Sequence, residues 1–178
     1  MKNKNFKYAI IAGVITVSVI VTVVSLRYIF KAGDNKFGLS LGAVNQKLIY
    51  PIKGTISSGF GTRIDPITGA AGQFHNGIDI YPPEPRIGTK IKSPADGVVI
   101  LMDWNDDGGN QLRIKHDNGY ITGYAHLSKY LVKLGDKVKQ GQYIAEVGAT
   151  GKVTGAHLNF TLVNTNTAAI LDPTKYLV

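Results

Sequence analysis

Short apolar stretches with alternating polar positions, separated by Gly, Asn and Asp turns, cover the chain from Tyr50 onward. A period of two is typical of strands that bury one face. The stretches are GTISSGFG, GIDIYP, GVVILMDW, NQLRIKH, YITGYAHL, YIAEVG and HLNFTLV. We find no convincing amphipathic helical stretch of ten or more residues in this part of the sequence. The pattern therefore predicts an all-β, compact antiparallel domain over residues 50–178.

Three turn-rich segments add detail to this prediction. Asp117-Asn118-Gly119 lies between two strand stretches and predicts a hairpin, because Asn and Gly tolerate positive φ. NDDGGN at 105–110 predicts another turn, and we interpret its aspartates as solvated residues rather than calcium ligands. GDKVKQGQYIAEVG at 135–148 resembles the folded-over hairpins of lipoyl- and biotin-carrier domains but lacks their lysine-bearing tip motif. It favours a barrel-sandwich topology without a swinging-arm function.

The N-terminal hydropathy pattern differs from the rest. Tyr8–Leu26 holds 19 residues without a charge, close to the ~20 that a helix needs to cross a bilayer. A cleaved signal peptide is the alternative, but the apolar run is long and no A-x-A cleavage pattern follows it. We therefore predict a basic tail, a transmembrane helix, a tether and a folded domain, at residues 1–7, 8–28, 29–49 and 50–178.

Charge is concentrated in the same N-terminal region. The chain of 178 residues carries a formal net charge of +8, and residues 1–47 hold seven of its cations against Asp34 alone. The excess leaves little basic surface for the domain, so we predict no nucleic-acid binding. The three lysines before the apolar run favour a cytoplasmic N-terminus, although cations on its far side weaken this argument. Cysteine is absent, which excludes disulfides, thiolate nucleophiles and Cys-based zinc sites.

The histidines supply the candidate chemistry. In GAHLNF, strand alternation places His157 and Asn159 on one face and the apolar Leu158 and Phe160 on the other. In FHNGIDI, His75 and Asp79 are four residues apart, so a single strand would present both on one face as two ligands of a catalytic zinc site.

The other two histidines receive different interpretations. His126 is predicted to share a strand face with Thr122 and Tyr124, where it could carry a proton or stabilise an oxyanion beside a metal. His116 lies at a hairpin end and is interpreted as structural.

Taken together, these motifs and their order carry a family resemblance. The series SSGFGTRIDPITG, FHNGIDI, SPADGVV, GYAHLS, VKLGDKVKQGQYIAEVGATGKVTGAHLNF and DPTKYL closely resembles the lysostaphin-type peptidoglycan metallopeptidases, from about Tyr50 to Leu177. The resemblance implies a duplicated hybrid-motif fold whose groove holds a zinc ion for amide hydrolysis in peptidoglycan. It also implies that His75 and Asp79 are zinc ligands. His126 and His157 would be the catalytic histidines, one helping to deprotonate the attacking water and both able to stabilise the oxyanion.

Asn159 departs from the family pattern, because the third zinc ligand of the family is the second histidine of an H-x-H pair. A neutral amide oxygen suits magnesium or calcium better than zinc, so we expect weaker zinc binding. Three interpretations remain open. Asn159 is a tolerated ligand in a working enzyme, a mark of a domain that has become a non-catalytic binder or regulator, or a change made deliberately to inactivate the protein.

Two functional hypotheses follow. The first is a membrane-anchored zinc endopeptidase that cuts peptide bonds in peptidoglycan, with residues 8–28 in a bilayer and the domain extracytoplasmic, in a cell envelope or on a virion membrane. The second is a pseudopeptidase that uses the same groove to bind peptidoglycan or a protein partner. A phosphotransferase relay domain of related fold is a more distant hypothesis, because the anchor and the peptidase-type motifs count against it.

Overall fold

The structure is a computed structural model that describes residues 48–178. The transmembrane helix predicted over residues 8–28, the tail 1–7 and most of the predicted tether 29–49 lie outside the described residues. Within residues 48–178, no helix has the length and apolarity needed to cross a bilayer.

Strands dominate the described part of the chain. Its regular elements are β1 (Thr55–Ser58), β2 (Gly61–Arg63), β3 (Gln73–His75), β4 (Gly77–Tyr81), β5 (Lys90–Lys92), β6 (Gly97–Asn105), β7 (Gly109–His116), β8 (Tyr120–Tyr130), β9 (Lys137–Val138), β10 (Tyr143–Val147), β11 (Leu158–Asn164), β12 (Ile170–Leu171) and a 3-10 helix (Pro173–Lys175). The all-β antiparallel prediction is confirmed for these residues, and each predicted stretch contains a strand. The hairpin prediction is also confirmed, because Gly119 joins β7 to β8 with a φ of 86°.

The strands form one large folded sheet and one small hairpin. The central order is β1-β4-β11-β8-β7-β6-β9, with every neighbouring pair antiparallel. β10 pairs antiparallel with both β8 and β5, and β12 pairs antiparallel with β11. β2 and β3 pair only with each other, as a separate two-stranded sheet. In this order, β11 lies between β4 and β8, so the three motifs with candidate chemistry meet on adjacent strands.

The hydrophobic core explains the alternation in β11. Leu158, Phe160 and Leu162 are completely buried, and the Phe160 ring lies 5.6 Å from that of Tyr124. Since successive side chains of a strand point to opposite faces, His157 and Asn159 are directed away from this core. The sequence prediction for GAHLNF is therefore confirmed.

Leu48, two residues before the predicted boundary, packs with the domain. Its side chain is fully buried, its N–H donates to the Tyr176 carbonyl, and its own carbonyl accepts from the Val178 N–H. These contacts join the first described residue to the end of the chain.

His116 belongs to the core and not to a reactive site. Its Nδ1–H donates to the Asp96 carbonyl, so the lone pair on Nε2 accepts from the Thr122 hydroxyl at 2.7 Å. The Thr122 oxygen in turn lies 2.7 Å from the buried Tyr124 hydroxyl, which donates to it. The chain of donors is complete only with a neutral imidazole, which agrees with the structural interpretation.

Lowering the pH is expected to destabilise the fold through His116. Burial lowers the pKa of His116 below its ordinary value of 6.5, so between these two pKa values the unfolded chain binds more protons. The stabilisation is present above pH 6.5 and is lost as the pH falls toward the folded-state pKa, with a slope of at most about 1.4 kcal/mol per pH unit. Urea unfolding at pH 7, 6 and 5 measures the free energy of unfolding, which should depend less on pH in His116→Asn than in the parent chain. The same pH dependence in both proteins would contradict the assignment of the effect to His116.

Candidate active site

The site is built on a row of residues across β4, β11 and β8. Asn159 is paired with Asp79 on one side and with Ala125 on the other. Directly opposed residues of antiparallel strands share a face, with Cβ atoms about 4.5–5.5 Å apart. The register alone therefore places Asn159 beside Asp79 and one residue from His126.

His75 and Asp79 meet, although they do not share one strand. The chain leaves β3 at His75 and enters β4 at Gly77, so the expectation of a single strand was wrong: β3 pairs with β2, and β4 with the large sheet. His75 Nε2 nevertheless lies 3.3 Å from Asp79 Oδ1, and both residues are buried. The His75 Nδ1–H donates to the Gly59 carbonyl at 2.9 Å, which leaves the Nε2 lone pair facing the site.

Asn159 fills the space beside these two groups as a hydrogen-bond donor. Its Nδ2 lies 2.8 Å from His75 Nε2 and 2.8 Å from Asp79 Oδ1. The amide has two N–H groups, and each of them meets one acceptor. Asn159 therefore holds the imidazole and the carboxylate together.

Asp79 also has a cationic partner. Arg63 Nη1 lies 2.9 Å from Asp79 Oδ2 and also bonds the Ser58 hydroxyl. Burial alone would raise the pKa of the Asp79 carboxyl, but hydrogen bonds from surrounding side chains, His157 first among them, hold it well below its usual range. The group is therefore a carboxylate, with Oδ2 directed to the guanidinium and Oδ1 to the site.

A bulge in β8 positions His126. Its φ is 64°, a left-handed value that few non-glycine residues adopt. The bulge moves the alternation by one position, so Leu127 takes the core position after Tyr124. The prediction that His126 shares a face with Tyr124 and Thr122 was therefore wrong, because it assumed an unbroken period of two.

Neighbouring segments hold the bulge in place. The Leu127 carbonyl accepts from the Asn110 side-chain amide and from the Thr150 hydroxyl. At Gly148, a Cβ would come within 2.7 Å of the His126 carbonyl oxygen, so only glycine permits this close approach. The Thr150 carbonyl accepts from His126 Nδ1–H at 2.9 Å, which fixes the ring.

His157 completes the group. Its Nδ1–H donates to the Gly155 carbonyl, its Nε2 lies 3.5 Å from Asp79 Oδ1, and its ring centroid is 4.8 Å from that of His126. Burial lowers the pKa of His126. Burial acts on the pKa of His157 in the same direction, but the hydrogen bond and negative charge of Asp79 outweigh it and raise this pKa. The paired imidazoles therefore differ in proton affinity, as acid and base partners do.

All five site residues that the sequence predicted lie in this cluster: His75, Asp79, His126, His157 and Asn159. The sequence analysis gave no role to Arg63, which is 16 residues from its partner in the chain. The carbonyl groups that orient the three imidazoles were also missed, since any residue supplies a carbonyl.

The spacing and donor atoms of the cluster determine whether it can hold a metal ion. Residues 48–178 contain no group of three or more His, Asp or Glu side chains arranged to hold one. His75 Nε2 and Asp79 Oδ1, however, are separated by 3.3 Å, which matches the spacing of about 3.3–3.5 Å between two ligands of a tetrahedral zinc ion. Asn159 faces them with Nδ2, and a half-turn of its amide would present Oδ1 as a third ligand. The residues fit a divalent ion in that second orientation.

Comparison with known proteins gives a family match. The family model for peptidase family M23 matches residues 73–172, more than half of the chain. The chain is 46% identical over 106 residues to peptidoglycan DD-endopeptidase ShyC of Vibrio cholerae, a match that covers 59% of this chain and 24% of that protein. The chain spans less than a third of the length of this relative and of the similar ShyA and ShyB.

Solved structures are similar as well. A zinc-containing peptidase from Vibrio cholerae superposes with a TM-score of 0.63 at 40% identity, over 72% of this chain and 40% of that one. The catalytic domain of the antimicrobial peptidase lysostaphin from Staphylococcus simulans gives a TM-score of 0.60 at 34% identity, over 69% of this chain and 91% of that domain.

Proposed function

The chain belongs to peptidase family M23, and on this premise we propose that it is a metal-dependent endopeptidase that hydrolyses peptide bonds in bacterial peptidoglycan. The observation that carries the proposal is the approach of two oriented imidazoles, His75 and His157, to the Asp79 carboxylate, with the oriented imidazole of His126 packed against His157. Relatives named as peptidoglycan DD-endopeptidases support the substrate class.

We propose His75, Asp79 and Asn159 as the groups that hold the metal, with zinc as the ion. When bound, the ion supplies Lewis acidity toward the scissile carbonyl and the attacking water. Arg63 fixes Asp79 Oδ2 and leaves Oδ1 for the metal. The Gly59 carbonyl fixes the tautomer of His75, so that Nε2 is the free ligand atom.

The two remaining histidines perform the proton transfers. His126 donates Nδ1–H to the Thr150 carbonyl, so its Nε2 is free to accept a proton from the attacking water. His157 is held by the Gly155 carbonyl and lies beside Asp79, where it retains a proton to stabilise the oxyanion and to pass to the leaving amine. The ring separation of 4.8 Å allows both imidazoles to reach one peptide group.

We also propose that residues 8–28 anchor the protein in a bilayer and that residues 29–49 tether the domain close to it on the extracytoplasmic side, with residues 1–7 in the cytoplasm. The uncharged run Tyr8–Leu26 and the preceding lysines support this arrangement. Sedimentation of the full chain with membranes after a carbonate wash tests it, and recovery of the chain in the supernatant would contradict it.

Digestion of purified peptidoglycan by the full chain tests the enzymatic proposal. Mass spectrometry of the released fragments should show newly exposed amines and carboxyls, and a chelator should abolish them until zinc is restored. Asp79→Asn is expected to lose cleavage, because it removes the buried charge on which the site converges. Asp106→Asn, the same change in an exposed turn, should retain it. No cleavage by the zinc-loaded parent chain would refute the proposal.

A second candidate function is non-catalytic binding of peptidoglycan or a protein partner in the same groove. The observation that favours it is the Asn159 amide, which satisfies His75 and Asp79 without a metal. The same digestion separates the two functions: a binder sediments with peptidoglycan and releases no fragments, even with zinc present.

A further inference from the structure

We propose that the Asn159 carboxamide takes the place of the metal ion in the metal-free protein and competes with the ion for His75 and Asp79, so that metal enters only when the amide turns. This inference rests on the proposed function. Under this inference, the orientation of the Asn159 amide controls whether the site is free of metal or binds it, and Asn159 is also a metal ligand.

The two N–H donors of Asn159 match the two acceptor atoms that face them. His75 Nδ1 and Asp79 Oδ2 are engaged by the Gly59 carbonyl and by Arg63, so His75 Nε2 and Asp79 Oδ1 are the acceptor atoms left for the site. Asp79 Oδ1 also lies 3.5 Å from His157 Nε2. The two N–H groups of Asn159 meet those two acceptors at 2.8 Å. An amide in this orientation therefore occupies the Nε2 lone pair of His75 and one lone pair of Asp79 Oδ1, the atoms that would bind a metal ion.

The negative charge of Asp79 is compensated by protein groups. Asp79 is only 8% exposed, and an unpaired buried carboxylate is costly. In the metal-free protein, the guanidinium of Arg63 supplies a compensating positive charge. The Asn159 amide donates to Asp79 Oδ1, and His157 Nε2 lies 3.5 Å from the same oxygen. The site is thus electrostatically complete without a cation, and an arriving cation must displace an existing contact.

The Asn159 amide also occupies the space between its two acceptors. The amide nitrogen lies 2.8 Å from each acceptor, which is a hydrogen-bond distance that leaves no space for an ion between them. Turning the amide presents Oδ1 instead, an acceptor that faces two other acceptors. That orientation is favourable only with a cation present, so the orientation of the amide and metal occupancy are coupled.

The test follows the side-chain amide of Asn159 by NMR in the ¹⁵N-labelled full chain. Without metal, its two N–H signals should be shifted downfield and exchange slowly with water, because both protons are hydrogen-bonded to buried acceptors. The exposed Asn166 amide provides the fast-exchanging reference. Titration with zinc should move the Asn159 signals and remove their protection. Fast exchange in the metal-free protein would overturn the proposal, even if no variant could be purified.

An Asn159→Ala variant separates competition from simple ligation. If Asn159 were only a third ligand, its removal would weaken zinc binding by about 10-fold or more. If it also competes, freeing His75 and Asp79 offsets the lost ligand, so the variant should bind zinc less than about 10-fold more weakly than the parent chain. Isothermal titration calorimetry measures the affinity, with Asn166→Ala as the matched control. A 10-fold weaker affinity of Asn159→Ala alone would overturn the inference.

Cleavage of peptidoglycan at saturating zinc is measured separately. An expected amide response without cleavage would contradict the proposed function and leave the competition intact. Cleavage without the amide response would contradict the competition and leave the proposed function intact.

Discussion

An Asn159→His variant is expected to bind zinc at least about 10- to 100-fold more tightly than the parent chain, since even changes beyond the direct ligands typically alter metal affinity by this factor. Zinc prefers imidazole nitrogen to a neutral amide oxygen. The substitution also removes the two N–H donors that engage His75 and Asp79. Both effects act in the same direction, which makes this the largest gain that a single substitution in the site is expected to give.

Competition between the protein and a chromophoric chelator measures this change in affinity. Asn166→His adds a histidine at an exposed position and should leave the affinity unaltered. Peptidoglycan cleavage at limiting zinc should rise in parallel with occupancy for Asn159→His. Equal affinities of the parent and Asn159→His would mean that position 159 does not face the metal, in conflict with its register opposite Asp79.

The residues that the sequence predicted correctly are those whose placement depends on local periodicity. His157 and Asn159 alternate with fully buried Leu158 and Phe160, and a regular strand needs no further information to separate its two faces. His75 and Asp79 meet for a different reason. The prediction assumed one strand, whereas the observed pair spans the step from β3 to β4. The correct pair was therefore obtained from an incorrect local geometry.

The features that the sequence did not predict depend on contacts between distant segments. The β8 bulge turns His126 away from the core, and its φ of 64° is maintained by groups from other strands, such as the Asn110 amide. Arg63, at the end of β2, contacts Asp79 of β4 although β2 is paired with β3, so no local pattern joins the two residues. Backbone carbonyls fix all three imidazole tautomers, and a carbonyl has no signature in an amino-acid sequence.

A His126→Asn variant is expected to lower the rate of peptide cleavage by about 10²- to 10⁴-fold, the usual contribution of a positioned general acid or base. The proposed role of His126 is to accept the proton of the attacking water through Nε2, which Asn cannot do. Asn is the suitable replacement because it tolerates left-handed backbone angles. The bulge at φ 64° should therefore survive, whereas Ala at the same position would add backbone strain to the loss of the imidazole.

Single-turnover cleavage of a peptidoglycan-derived peptide at saturating zinc measures this loss. Zinc affinity and thermal unfolding are recorded for the same protein, because a catalytic role predicts that both stay close to the parent values while the rate falls. His116→Asn should give the opposite result. The His116 imidazole is buried and hydrogen-bonded to the Asp96 carbonyl and the Thr122 hydroxyl, so its loss should lower stability and leave the cleavage rate at saturating zinc nearly unchanged. If His126→Asn lost less than about tenfold in rate, the role of His126 would be contradicted, and His157, the other imidazole of the pair, would have to accept the proton of the attacking water.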